Sequence, residues 1–402
     1  MQLKSMPSVC RSDLGPLILL TICLYLFAAL FQNLFGTFSP NRLIGALISV
    51  ILIWNYIANL NHFRIIGALL VLITLLFCFA MSTNIANDLN DSIYWVTAML
   101  VLAYIGDRDS ICGLKSALWK YSKALSFFVL FSVVTLAVLL SARIGYVYSW
   151  GGGSYFVGLC NTEHTMSAVC CLIMVLAFAC GRAKTMHPGL VMVSLSISFW
   201  AILQTGARTY LVPAMIIWLY AIYYLVKSTW SKTFVAALVA VAVVYLFTST
   251  GMAEKFLYAS GNEYAKTFLD SFTSGRSEFW TVDLQMYASS GPFGWLFGNS
   301  FSSVYDANET IFAMRIWSHN DFVMLLCSVG LIGFAVYCGS IIMVFRNVSR
   351  YVSKLGLAAF ALYVLFPAIF NGFYINQHFV YSAALLVACL AITSKSNAEK
   401  DR

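Results

Sequence analysis

Long uncharged apolar blocks constrain this chain more than any other feature of its sequence. Residues 14–41, 65–87 and 322–345 each run without Asp, Glu, Lys or Arg. About 20 such residues cross a ~30 Å hydrocarbon layer as a helix. Hydrophobic residues make up 61% of the chain and charged residues 10%, where a soluble domain carries roughly a quarter charged. A water-soluble core has no room for that much apolar surface.

The pattern predicts an all-α integral membrane protein of about twelve transmembrane helices. The expected spans are roughly 14–35, 43–60, 65–81, 89–106, 121–142, 164–180, 188–205, 209–226, 232–250, 320–345, 355–371 and 378–393. The fourth is unusual in containing Asp91. Residues 355–394 lack charge altogether, but Asn371, Gly372, Asn376, Gln377 and His378 interrupt them and predict two helices joined by a tight turn. The first span follows Lys4 and Arg11 and has no small-x-small cleavage site, so it is expected to stay as an uncleaved helix. One polytopic domain, 1–402, is expected, with a single long outer, periplasmic loop at 251–319 between spans 9 and 10.

Basic residues set the orientation. With the N-terminus in the cytoplasm, only Arg42, Arg143, Arg208, Lys255, Lys266, Arg276 and Arg315 of the 24 Lys and Arg fall outside, four of them in the long loop. Both termini are then cytoplasmic. The net charge of +8 is scattered singly or in pairs between apolar runs. It reads as topogenic charge and excludes a nucleic-acid partner, which would need a gathered basic face. The eleven cysteines form no zinc spacing and no Cys-x-x-Cys pair. Cys23, Cys78, Cys170, Cys171 and Cys327 lie in apolar spans and read as small packing residues.

The loop is too short and too poor in aliphatic runs to be an independent domain. Residues 276–289 look helical, Gly291, Pro292, Gly294 and Gly298 then break the chain, and the aromatic content argues against disorder. A lid over the helical bundle is expected.

Three outer-face residues stand out as candidates for chemistry. Arg208, in Gln-Thr-Gly-Ala-Arg-Thr-Tyr, must sit at the membrane boundary, either as a snorkelling anchor or as an anion ligand. Arg276, in Ser-Gly-Arg-Ser-Glu-Phe-Trp, begins the predicted loop helix, where free N–H groups favour an anion; a surface pair with Glu278 or Asp283 is the alternative. His319, in Trp-Ser-His-Asn-Asp-Phe, precedes a long apolar run. A helix N-terminus disfavours imidazolium, and a neutral imidazole suits a base or a hydrogen-bond acceptor. Ser318 and Asp321 have capping-box spacing. Asn320 and Asp321 beside the histidine, and Glu163 and His164 at the mouth of the sixth span, are further site-lining candidates, though Glu163 and His164 serve equally well as helix-capping residues.

Other signals carry less. Asp107-Arg108-Asp109 sits in a short cytoplasmic connector with no room for a nucleotide-binding domain. Gly151-Gly152-Gly153-Ser154 lacks the lysine of a phosphate loop and reads as a turn. No cluster offers metal ligands, and no cofactor is expected.

In order, the outer turn Gly-Ala-Arg-Thr, the Ser-Gly-Arg before a loop helix followed by Gly-Pro-Phe-Gly, and Ser-His-Asn-Asp-Phe leading into Gly330-Leu331-Ile332-Gly333 resemble the superfamily of Wzy-type O-antigen polymerases and O-antigen ligases. The resemblance covers roughly residues 155–345. It implies a bacterial inner-membrane glycosyltransferase, inverting and metal-independent, that uses a glycan on undecaprenyl diphosphate. By the same resemblance Arg208 and Arg276 match diphosphate-binding arginines and His319 matches the histidine near the acceptor. Implied partners are the lipid-linked oligosaccharide, membrane lipid, a flippase and a chain-length regulator. The look of Ser-His-Asn-Asp-Phe favours a polymerase over a ligase that transfers glycan to lipid A core. A transporter would want a broken helix with paired midplane charges, and the sequence offers none.

Overall fold

The computed structural model describes residues 14–36, 38–149, 153–226 and 275–398, the side chains of 149 and 392–398 excepted, with a few isolated positions between 228 and 273. Apart from those positions, the expected ninth span and the loop up to residue 272 lie outside the described residues. The described chain is helical throughout, save one two-stranded hairpin.

The helices are α1 (Leu14–Leu30), α2 (Pro40–Ala58), α3 (His62–Ala80), α4 (Ile85–Ile105), α5 (Arg108–Lys120), α6 (Ser122–Ser141), α7 (Glu163–Arg182), α8 (Pro188–Thr205) and α9 (Leu211–Leu225), then α10 (Arg276–Ser289), α11 (Gly291–Phe297), α12 (Phe301–Phe312), α13 (Asp321–Val348), α14 (Lys354–Phe370) and α15 (Gln377–Ala398). Their starts are signalled locally. The side chains of Asn61, Asn84, Thr162 and Ser353 accept from backbone N–H groups at the heads of α3, α4, α7 and α14, and Pro40 and Pro188 stand in the first turns of α2 and α8.

Among the described residues, seven helices are long and apolar enough to cross a membrane, or eight if the bent pair α4 and α5 counts as one, while α1, α14 and the Gln377–Ala391 part of α15 are shorter apolar segments. α7 is the central post: 89% of its apolar window is buried, against 11% for α3, which turns its face outward. Small polar side chains join neighbours inside the bundle, as in the 2.7 Å bond between Ser167 on α7 and Thr205 on α8. Cys78, Cys170, Cys171 and Cys327 are buried free thiols packed in the core, and Cys23 is partly buried against it.

Several elements differ from expectation. The connector holding Asp107-Arg108-Asp109 is a full helix, α5, bent 87° from α4. Asp107 caps it by accepting from Ser110 N, and Ile111, Leu114, Ala117 and Leu118 bury one face. A hairpin pairs β1 (Tyr146–Ser149) with β2 (Gly153–Phe156), in register Tyr146 to Phe156, with Gly151 and Gly152 outside the described residues. The glycines after residue 290 do not all break the chain. Gly291, Pro292 and Gly294 lie in the short helix α11, which Gly298 ends.

α13 is not continuous. At Gly330 (φ 66°, ψ −174°) two helical halves meet across a kink. The loop fills the break: Asn299 N and Ser300 N donate to Cys327 O and Ser328 O at 2.9 and 3.0 Å. Gly298 (φ 84°, ψ −179°) makes this approach possible, since a Cβ there would lie 2.2 Å from Ser328 O. Both glycines occupy backbone space that is essentially closed to other residues. Through this interlock α10, α11 and α12 pack on α13 as one layer, and α12 also reaches α4.

Candidate functional site at one end of the bundle

Arg208 opens a single 3-10 turn, Arg208–Tyr210, between α8 and α9. The turn is fixed from behind, because Ala207 N donates to Thr205 Oγ1 at 3.1 Å. Tyr210, two residues on, is fully buried, with its ring 6.2 Å from that of His164 and 5.4 Å from that of Phe379.

Arg276 begins α10 and points back into the bundle, where its Nη1 donates to Phe370 O at the end of α14. It does not pair with Asp283, which is buried and accepts from Asn308 Nδ2 at 3.0 Å. Burial, then the positive charge of Arg208, push the guanidinium of Arg276 down to about 10, with Tyr210 and Glu163 opposing. Arg208, distant in sequence, therefore lies near enough to Arg276 for the two charges to oppose each other, and Glu163 at the head of α7 lies within the same reach.

His319 has a left-handed backbone (φ 53°), a conformation uncommon for residues other than glycine and one that marks constrained sites. Its ring packs 4.6 Å from Trp317 and 6.5 Å from Phe279 of α10. Nδ1 lies 3.3 Å from Asn371 Oδ1, in the turn between α14 and α15. The tautomer with the proton on Nδ1 can donate to that amide oxygen. Asn371 Nδ2 in turn donates to Tyr210 Oη at 3.5 Å. Trp280 Nε1 donates to Ser318 O at 2.7 Å, tying α10 to the same stretch.

The capping box of Ser318 and Asp321 does not form. Asn320 is the N-cap of α13, its Oδ1 accepting from Phe322 N and Val323 N at 2.9 and 3.1 Å. Asp321 is fully buried and one of its oxygens accepts from Tyr337 Oη at 2.7 Å, Phe373 N at 2.9 Å and Tyr374 N at 3.1 Å. It fastens the α14–α15 turn, and so Asn371, against the head of α13. Thr162, not Glu163, caps α7, its Oγ1 accepting from Thr165 N. His378, expected in the turn, is the second residue of α15 and is buried with its ring 4.4 Å from that of Tyr25.

The structure thus brings Arg208, Arg276, His319, Glu163 and His164 to one end of the bundle, and adds Tyr210, Asn371 and the Phe370 carbonyl, which the sequence reading passed over. The polar interruption at 371–378 was the available signal for Asn371. Two guanidiniums held near each other suit an anion of more than one charge, and the imidazole at the same end suits a hydroxyl that must lose a proton. Among the described residues, no three His, Cys, Asp or Glu side chains gather as metal ligands. No family model matches the chain, and no curated protein matches it. The described residues form an almost wholly helical protein with helices of membrane-crossing length and two arginines, Arg208 and Arg276, brought to one end.

Proposed function

We propose that the chain is a surface-polysaccharide polymerase of the bacterial inner membrane, joining undecaprenyl-diphosphate-linked repeat units at the periplasmic face. The observation that carries this reading is the convergence of Arg208 and Arg276, remote in sequence, on the end of the bundle where Arg276 Nη1 reaches Phe370 O and the next residue, Asn371, meets His319. In the proposed reaction the acceptor hydroxyl attacks the anomeric carbon of the donor sugar from the face opposite the diphosphate. The bond from that carbon to the phosphate oxygen breaks, undecaprenyl diphosphate leaves against the two arginines, and Nε2 of His319 takes the hydroxyl proton. Preorganised guanidiniums are worth most where negative charge develops in a dry site. No metal or cofactor has a part in it. The reading places twelve spans in the membrane, both termini in the cytoplasm, and the 251–319 segment outside.

A ligase acting on lipid A core would use the same constellation with another acceptor. Transport draws no support from the broken helix α13, because loop N–H groups take up the carbonyls freed at the break. The discriminating experiment is a deletion in the source organism, with the surface-polysaccharide ladder run on a gel. Loss of a polymerase leaves lipid A core capped with a single repeat. Absence of any capped species indicates the ligase, and an unchanged ladder contradicts both.

A further inference from the structure

A cavity of about 180 Å³ lies between α4 and α12, lined by Asn87, Asn90, Asp91, Tyr305 and Arg315. Two aspartates stand one turn apart on α4, and their surroundings differ. Asp88 is consumed by structure: it accepts from Ser302 N at 2.8 Å, from Ser302 Oγ at 2.6 Å and from Ser82 Oγ, holding the start of α12. Asp91 is 2% exposed and accepts from Tyr305 Oη at 3.0 Å and, weakly, from Asn90 Nδ2 at 3.4 Å. A carboxylate has about four acceptor positions, so Asp91 keeps capacity for a donor entering the cavity. A buried aspartate is costly unless its oxygens find donors.

The lining also selects a class of ligand. One carboxylate facing one guanidinium suits neither a metal ion nor a phosphate, and Arg315 is already held by Asp306 and Glu309. Two amides that both donate and accept, a phenol with an aromatic face, a carboxylate and a guanidinium fit a neutral ligand rich in hydroxyls. Position completes the argument, because Arg315 on the cavity and His319 at the site are four residues apart, a separation of at most ~14 Å along extended chain.

We infer that the cavity is a saccharide subsite, holding a sugar of the acceptor glycan a short oligosaccharide's length from the hydroxyl that reacts. This rests on the glycosyl-transfer reading. The test uses the purified full chain in detergent, with lipid-free repeat-unit oligosaccharide, released by mild acid from the source organism's polysaccharide precursors, as the probe. Calorimetry gives its affinity, and polymerisation assays give KM and kcat for the acceptor. Asp91→Asn and Tyr305→Phe each remove one hydrogen-bonding capacity, and about a tenfold loss of affinity is expected, with a matching rise in KM. Asn90→Ala, at an exposed position on the rim, serves if Asp91→Asn does not fold. Variants that bind the oligosaccharide and elongate it with wild-type affinity and KM overturn the subsite alone. Sugar binding weakened by these variants in a chain that makes no polymer would uphold the subsite and overturn the glycosyl-transfer reading.

Discussion

Arg276 occupies a place where a cation is held at a disadvantage, short of water and facing Arg208. Arginine stays charged there because its ordinary value is so high. A lysine starts from a lower ordinary value, and the same surroundings would push its ammonium further down, towards the neutral form. In Arg276→Lys the charged form, and with it the hold on an anionic leaving group, is present below that lowered value and is lost as pH rises through it. Polymer formation should therefore fall off at a lower alkaline pH in this variant than in the wild type; matching profiles would contradict the burial argument. Arg208 and Arg276 stand out in the sequence because the expected topology leaves few cations on that face, and His319 because, unlike Asp321, it has no capping explanation. Tyr210 and Asn371 do not, because their part depends on contacts across 161 and 52 residues. Asp321 misled for a related reason: Ser-x-x-Asp is a local pattern, whereas its actual partners, Tyr337 and the 373–374 backbone, come from elsewhere in the chain.

Elements built from long apolar periodicity were read closely, and those built from close backbone approach were not. α10 spans the 276–289 stretch expected to be helical, and the turn between α14 and α15 falls at the polar interruption. The bend before α5 and the kink in α13 depend on which backbone groups find partners, which hydropathy does not encode. The kink gives a sharp test. A Cβ on Gly330 would lie 2.4 Å from Gly298 N and 2.5 Å from Leu296 O, while one on Gly339, farther along the same helix, meets nothing within 4 Å. Gly330→Ala is expected to cost about 3 kcal/mol or more through steric overlap and a forbidden backbone. Gly339→Ala should be neutral or stabilise by up to about 1 kcal/mol. Thermal unfolding of the two variants in detergent checks this, and equal midpoints would mean that the loop does not seat in the break.

At the scale of the molecule, the site elements come from both ends of the sequence order: α7 and the turn before α9 on one side, α10, α13 and the α14–α15 turn on the other. Their meeting requires every one of those chain ends to lie on the same side of the membrane. Reporter fusions along the chain should place a fusion near Asn262 outside and fusions at both termini inside. Activity near Asn262 only as a cytoplasmic reporter would overturn the orientation and the proposed access to a periplasmic donor. The basic-residue bias predicts a shared end for these elements, but not the fit of the loop layer over α13, because that is made by glycines and backbone hydrogen bonds.

The most direct measurement supplies purified protein with lipid-linked repeat units in EDTA and follows polymer on a gel, for the wild type and for Arg208→Ala, Arg276→Ala and His319→Ala. These side chains are half-buried at the end of the bundle, so truncation should leave the helical core folded and recovery near normal. The account predicts polymer from the wild type despite the chelator and a loss of at least about 100-fold in each variant, the scale of removing one preorganised charge-stabilising group. Wild-type yields from any two of the three variants, or a wild-type activity that disappears in EDTA and returns with a divalent ion, would contradict it.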